Sequence, residues 1–359
     1  MGTAPCPWVG RCPHFYSMLK KIILFLIFFF YCVIVFLYSA LNSPRFWEKL
    51  TLQFVRAQYT DIEVSEFKIG KSRFQLPLKL NFSNIKFSLT KEKEVYVFNL
   101  KNAVLDLVNR RQIQIQLRGL GGRASSFTFN QADALLLISP SRKGSSINGD
   151  LKVAEMDLNS YQLRDIAAKI IGEPNQIRFK DIIANFYDGQ MSGEILLDYH
   201  KQITYSIEAE LTHVSLNRMR SVNPAVFSKI QGQVDGHLKA TGDAKKIHSI
   251  QSSINAPSGG ELKASLLRYL IRYIPPSQQW NDLEELVTTD GDIPFEKANL
   301  QLESVSDKKL LNKIKLESNK FNLDINLTED INFDTPLGNL MRKIKNFTDF
   351  IRRIYGDER

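Results

Sequence analysis

The chain has 359 residues, a formal net charge of +9 and three cysteines, Cys6, Cys12 and Cys32. The charge excess sits at the ends: Arg11, Lys20 and Lys21 stand with no acid before residue 22, and six basic residues meet three acidic ones from Pro336 onward. Basic residues beside a membrane segment meet anionic headgroups, which argues against nucleic acid as a partner, and with no cysteine after residue 32 the rest of the chain holds no internal disulfide.

Ile22 to Leu41 carries no charge and is apolar on every side. As a helix it spans about 30 Å, the thickness of a bilayer core. It is longer than the apolar stretch of a cleaved signal peptide, and bulky Tyr38 stands where cleavage after Ala40 wants a small residue. The run reads as an uncleaved anchor. Lys20 and Lys21 abut its start while Arg45, Lys49 and Arg56 follow its end, so positive charge alone does not orient it. The lysine pair touching the run and the cysteine-free remainder place residues 1–21 in the cytoplasm and the main domain outside it. Cys6, Cys12 and His14 lack the spacing of a metal site.

Period two dominates from there on. Leu76, Leu78, Leu80 and Phe82 alternate with Pro77, Lys79 and Asn81. The phase slips at Ser83–Asn84 and resumes with Ile85, Phe87 and Leu89, which predicts a β-bulge or tight turn. The alternation returns at Ile113–Leu117, at Phe127 and Phe129, at Leu135 and Leu137, and over Ile203–Leu211 and Phe321–Leu327. Asn148-Gly149-Asp150, Tyr187-Asp188-Gly189, Thr241-Gly242-Asp243 and Pro257–Gly260 predict turns, Arg118–Gly122 predicts another, and Ser139–Asn148 predicts a polar loop at an internal boundary. Long antiparallel sheets with one apolar and one polar face are expected. Helical patterns are few: Ser160–Ile171, Glu261–Ile274 stopped by Pro275-Pro276, and a short one over Trp280–Val287. Either a facing sheet or bound lipid in an open groove must then cover the apolar face.

From Pro336, Leu337, Leu340, Met341, Ile344, Phe347, Phe350, Ile351 and Ile354 trace one helical face, opposite Arg342, Lys343, Lys345, Arg352 and Arg353. The stretch reads either as a plug on the β domain or as an interfacial helix. In the second reading Phe347 and Phe350 enter the acyl boundary and Arg342, Lys343, Arg352 and Arg353 meet headgroups.

No phosphate-binding loop, nucleophile elbow or HExxH zinc motif is present. His200, His213, His237 and His248 are scattered, and Asp235 with His237 reads as a solvent-facing pair at a turn. No catalytic residue, metal or cofactor is expected, and the chain reads as a non-enzyme.

The stretch from Phe186 to Leu262 carries a glycine-punctuated pattern: Gly189 and Gly193, then the turn His213-Val214-Ser215-Leu216, then the triplet Gly232, Gly236 and Gly242. It resembles the AsmA-like superfamily of bacterial envelope proteins, which includes the AsmA, TamB and YdbH types. Ser215 stands where the family usually has an acid, and the chain is short for the family. The resemblance implies a mainly β fold: an elongated antiparallel β-sheet groove, β-taco-like, with a few short helices, behind an N-terminal transmembrane helix and before a C-terminal amphipathic helix. It implies an inner-membrane protein with a periplasmic domain that binds phospholipid and takes part in lipid transport or outer-membrane maintenance. A non-enzymatic assembly or scaffold protein with a filled β-sandwich core is the alternative. The expected division is a cytoplasmic tail over 1–21, an anchor over 22–41, a β domain over 42–335 and a basic helix over 336–359. Leu76, Leu78, Leu80, Ile203, Tyr205, Ile207, Leu211, Phe321, Leu323 and Ile325 are the expected lipid-facing side chains. The expected partners are phospholipid, the inner membrane, and an envelope protein or second membrane at the C-terminal end.

Overall fold

A computed structural model describes residues 32–330, apart from 59–62, 77, 92–93, 110–111, 126, 142–143, 159–160, 201–202, 223, 244–245, 272–290, 307–308 and 320. Residues 32–41 are helical (α1) and lead into α2 (Pro44–Gln58). Ten strands follow: β1 (Glu63–Gln75), β2 (Lys79–Lys91), β3 (Glu94–Asn109), β4 (Gln112–Arg123), β5 (Phe127–Ser141), β6 (Gly144–Leu158), β7 (Tyr161–Glu173), β8 (Gln176–Phe186), β9 (Gly189–Asp198) and β10 (Thr204–Ser215). A 3-10 turn (Leu216–Ser221) and the short α3 (Pro224–Phe227) precede β11 (Ile230–Asp243), β12 (Ile247–Ala256), β13 (Gly260–Lys263), α4 (Ala264–Ile271), β14 (Asp292–Phe295), β15 (Lys297–Ser306), β16 (Lys309–Glu317) and β17 (Asn322–Asp330).

All seventeen strands belong to one antiparallel sheet. Each strand from β1 to β11 pairs with the next, β12 pairs with β15, and β16 and β17 follow. β11 meets β12 over Asp235–Gly242 and β13 over Ile230–Gly232, so β12 and β13 are two halves of one rung; β14 and β15 divide the next rung at Glu296. The resulting meander stacks to about 70 Å at ~4.8 Å per rung. No ladder joins β1 to β17 among the described residues, so the sheet is open.

Bulges recur in mid-strand. Asn84, Gly119, Gln131, Asp165, Asp181 and His213 have φ between 50° and 65°. This left-handed conformation costs an L-residue about 1–2 kcal/mol, least for Asn and Asp. At each one the alternation slips by one residue, so that Phe82 and Ile85, Leu117 and Leu120, or Leu163 and Ile166 share a face. Side chains hold several bulges in place: Gly119 N donates to Asp133 Oδ1 at 2.7 Å and His213 N to Asp235 Oδ1 at 2.8 Å, while Lys169 Nζ meets Asp181 at 2.8 Å. A bulged strand bends.

These bulges explain two of the departures from the sequence expectations. The expected helix Ser160–Ile171 is strand β7 from Tyr161 onward: the slip at Arg164–Asp165 sets Leu163 and Ile166 three apart, which imitates a helical stripe. Arg118–Gly122 is the bulge of β4 rather than a turn between strands. Asn148–Asp150 lies inside β6, where a Cβ on Gly149 would come 2.2 Å from the Leu135 carbonyl oxygen. Ser139–Asn148 is the β5–β6 hairpin, and the sheet runs through it with no boundary. The expected helix Glu261–Ile274 divides, over its described part to Ile271, into β13 and α4. Tyr187-Asp188 does form the β8–β9 turn, both residues at positive φ. The segments Trp280–Val287 and 336–359 lie outside the described residues. So does the first half of the expected anchor, 22–31; among the described residues no helix is long and apolar enough to cross a membrane.

Candidate functional site

The register brings one apolar residue per strand into line across the sheet. From β1 to β12 the directly opposed residues are Phe74, Leu80, Leu105, Ile115, Leu136, Gly149, Ile170, Phe179, Ile195, Ile207, Ala240 and Ile250. A second line continues to the last strand through Leu211, Gly236, Ile254, Leu300, Ile314 and Ile325. The residues beside them point the other way. There several cations lie against acids, as in Arg178–Glu194 at 3.3 Å, Lys79–Asp106 at 3.6 Å and Lys315–Asp324 at 3.4 Å.

The apolar face is unevenly covered. Leu163, Ile166, Ile182 and Phe186 are buried, as are Leu316, Leu323 and Ile325. Across β2–β4, Phe82, Ile85, Phe87, Phe98, Leu100, Leu105 and Ile115 are only half-buried. Aromatic rings line this open part: Phe87 stacks on Phe98 at 4.8 Å, and Phe98 meets Phe129 at 6.4 Å. At the β1 end Trp47 packs edge-on against Phe82 at 5.4 Å and Tyr38 against Phe74 at 6.1 Å. The same helices cap the free edge of β1, whose Ile69 N donates to Glu48 Oε1 and Phe74 N to Asn42 Oδ1, both at 2.8 Å. Toward the other end α4 sets Ala264 and Leu267 into a buried cluster with Val214, Val234, Leu262, Ile293 and Phe295.

Among the described residues three buried polar atoms have no hydrogen-bond partner, Ser72 Oγ, Tyr205 OH and Asn312 Oδ1, and all belong to this face. Burial, then the Asp243 carboxylate, holds the Tyr205 phenol above its ordinary pKa.

Of the expected lipid-facing side chains, Leu80, Tyr205, Ile207, Leu211, Leu323 and Ile325 lie on this face, and Phe321 is buried at the entry to β17. Leu76 and Leu78 instead occupy the β1–β2 turn, 81% and 48% exposed, and exposed Ile203 precedes β10. Pro77 cannot donate to a ladder, so the alternation around it ends in a turn. Sequence reasoning passed over Tyr96, Phe98 and Leu100 of β3 and Ile147, Leu151 and Val153 of β6, although both runs alternate with period two over part of their length. The basic-helix residues Arg342, Lys343, Phe347, Phe350, Arg352 and Arg353 lie outside the described residues.

Among the described residues His237 Nε2 lies 3.5 Å from Glu208 and His248 Nε2 3.2 Å from Asp243; both imidazoles are exposed, while the Asp243 side chain is largely buried. Asp235 and His237 are mid-strand in β11 rather than at a turn. No cluster of metal-ligating residues occurs among the described residues. Compared with known proteins, the chain matches no family model, no curated protein and no solved structure.

Proposed function

We propose that the apolar face is an acyl-chain groove and that the chain is a membrane-anchored, non-enzymatic lipid-binding module of the AsmA-like kind. In this reading it works in phospholipid transport or outer-membrane maintenance from the bacterial inner membrane, with its sheet in the periplasm. The observation that carries the proposal is the unbroken apolar line from β1 to β12, kept in phase through the bulges while its β2–β4 portion stays half-exposed. The bulges bend their strands, which turns a flat apolar face into a gutter running along the stack of rungs. Each methylene brought into water costs about 0.8 kcal/mol, so two sixteen-carbon chains cost on the order of 25 kcal/mol, and a lined gutter removes most of it. Residues 32–41 support the anchor: Ile34 and Phe36 are 63% and 72% exposed on a helix that carries no charge. The helix cap on β1 sets the membrane end of the gutter.

A scaffold with a filled core is favoured by one observation, the seating of α4 on the apolar face. Mass spectrometry of the full chain extracted gently from membranes separates the two. About one or more phospholipids per chain is the expected result; a lipid-free chain would leave the scaffold reading in place.

A further inference from the structure

The polar face carries a second feature that acyl chains do not use. On β1–β4 a depression of about 380 Å³ opens beside the bulges. Its floor is a cross-strand row, Lys71 opposite Ser83, Ser83 opposite Asn102, and Asn102 opposite Arg118. Arg73 and Gln116 stand in the next row on the same face. The three cations bracket short neutral side chains. Lys71 and Arg118 are three strand spacings apart, about 14 Å at the backbone, so two long side chains can close on one tetrahedral anion above Ser83 and Asn102.

Several cations elsewhere on this face lie against an acid, as in Lys169–Asp181 at 2.8 Å and Arg164–Glu155 at 3.7 Å. Lys71, Arg73 and Arg118 have no acid within ion-pair distance among the described residues, and the depression has no acidic lining residue. With its carboxamide oxygen turned toward Arg118, Gln116 accepts from Nη2 at 2.8 Å and Nε at 3.1 Å. That contact steadies the guanidinium and leaves its other N–H groups to a ligand. A guanidinium binds phosphate through paired, charge-assisted hydrogen bonds, and Ser83 and Asn102 add neutral donors.

We propose that this depression is a phosphate-binding site on the outside of the sheet, for a phosphate monoester or diester such as a lipid headgroup, or for free phosphate. It lies on the face opposite the proposed groove and does not depend on acyl-chain binding. The test uses the full chain in neutral detergent micelles, titrated separately with inorganic phosphate, with short-chain phosphatidate and with short-chain phosphatidylcholine. The wild type is compared with Arg73→Gln/Arg118→Gln and with Lys239→Gln, an exposed cation on the same face far from the depression. Saturable binding of phosphate or phosphatidate, weakened about tenfold or more in the double variant and unchanged in Lys239→Gln, is expected. Binding of both probes assigns free phosphate as a sufficient ligand; binding of phosphatidate alone assigns the headgroup. No saturable binding of either, or equal binding by the double variant, overturns the site. Phospholipid carried through purification is measured on the same samples. It is expected to be the same in wild type and double variant, so failure of the phosphate site is distinguishable from failure of the groove.

Discussion

Leu100 offers a sharp perturbation of the groove. It lies on the apolar face of β3, opposite Ile85 and Leu120, and is half-buried, while its neighbour Asn99 is exposed on the polar face. Leu100→Asp and Asn99→Asp therefore add the same charge one residue apart, on opposite faces. Losing half of a leucine's burial costs roughly 1 kcal/mol, small against a domain stability of about 5–15 kcal/mol, so both variants should fold. An acyl chain lying along the rungs places about four methylenes over each ~4.8 Å rung. At about 0.8 kcal/mol per methylene, that contact is worth about 3 kcal/mol, and an acyl chain over a new carboxylate would also have to desolvate it. Leu100→Asp should weaken binding of a fluorescent phospholipid by about a hundredfold with a melting temperature close to that of the parent. Asn99→Asp should bind as the parent does. Equal affinities for the two variants in a fluorescence titration, with both folded, would refute the assignment of this face to lipid.

Three further outcomes follow from particular contacts. Glu48→Ala leaves the Ile69 amide at the β1 edge without its acceptor; a loss of about 1–3 kcal/mol is expected in denaturant unfolding, with edge-to-edge dimers on size exclusion. Asn312→Leu removes a buried, unpartnered oxygen and should raise the melting temperature by a few degrees; a drop would mean that the oxygen has a partner in solution. The Tyr205 and Tyr161 phenols are both held above their ordinary pKa, chiefly by burial. A raised pKa favours the neutral form in the fold, so the stability it brings is whole below the ordinary tyrosine range and is lost as pH climbs through the raised values. Thermal melts from pH 8 to 12 should therefore fall less steeply in Tyr161→Phe/Tyr205→Phe, and an unchanged slope would contradict the burial of these hydroxyls.

The strands with clean alternation were legible in the sequence. Ile203–Leu211 and Phe321–Leu327 alternate without a slip in it, and the Ser83–Asn84 slip marked a real bulge. What misled was the same device repeated: the slip at Arg164–Asp165 turned period two into a three-residue step and so into an apparent helix. Glycines read as turns at Gly119 and Gly149 are strand residues, because a bulge needs positive φ at the first and a close neighbouring backbone excludes a Cβ at the second. Three of the side chains expected on the apolar face fall off it, Leu76 and Leu78 where alternation runs into a turn and Ile203 just before β10. The phosphate site could not have been read from the sequence. Lys71, Arg73 and Arg118 are brought together only by the pairing of β1 to β4, which period two alone does not specify.

Site-specific photo-crosslinking tests the central claim most directly. A photo-reactive residue at Ile207 or Ile195 reports from the apolar face, and one at Ser206 or Glu194 from the polar face of the same strands, away from the proposed phosphate site. In bacterial cells expressing the full chain, phospholipid adducts identified by mass spectrometry are expected at Ile207 and Ile195 and not at Ser206 or Glu194. Adducts of equal yield on both faces, or on neither, would contradict a lipid groove on this sheet.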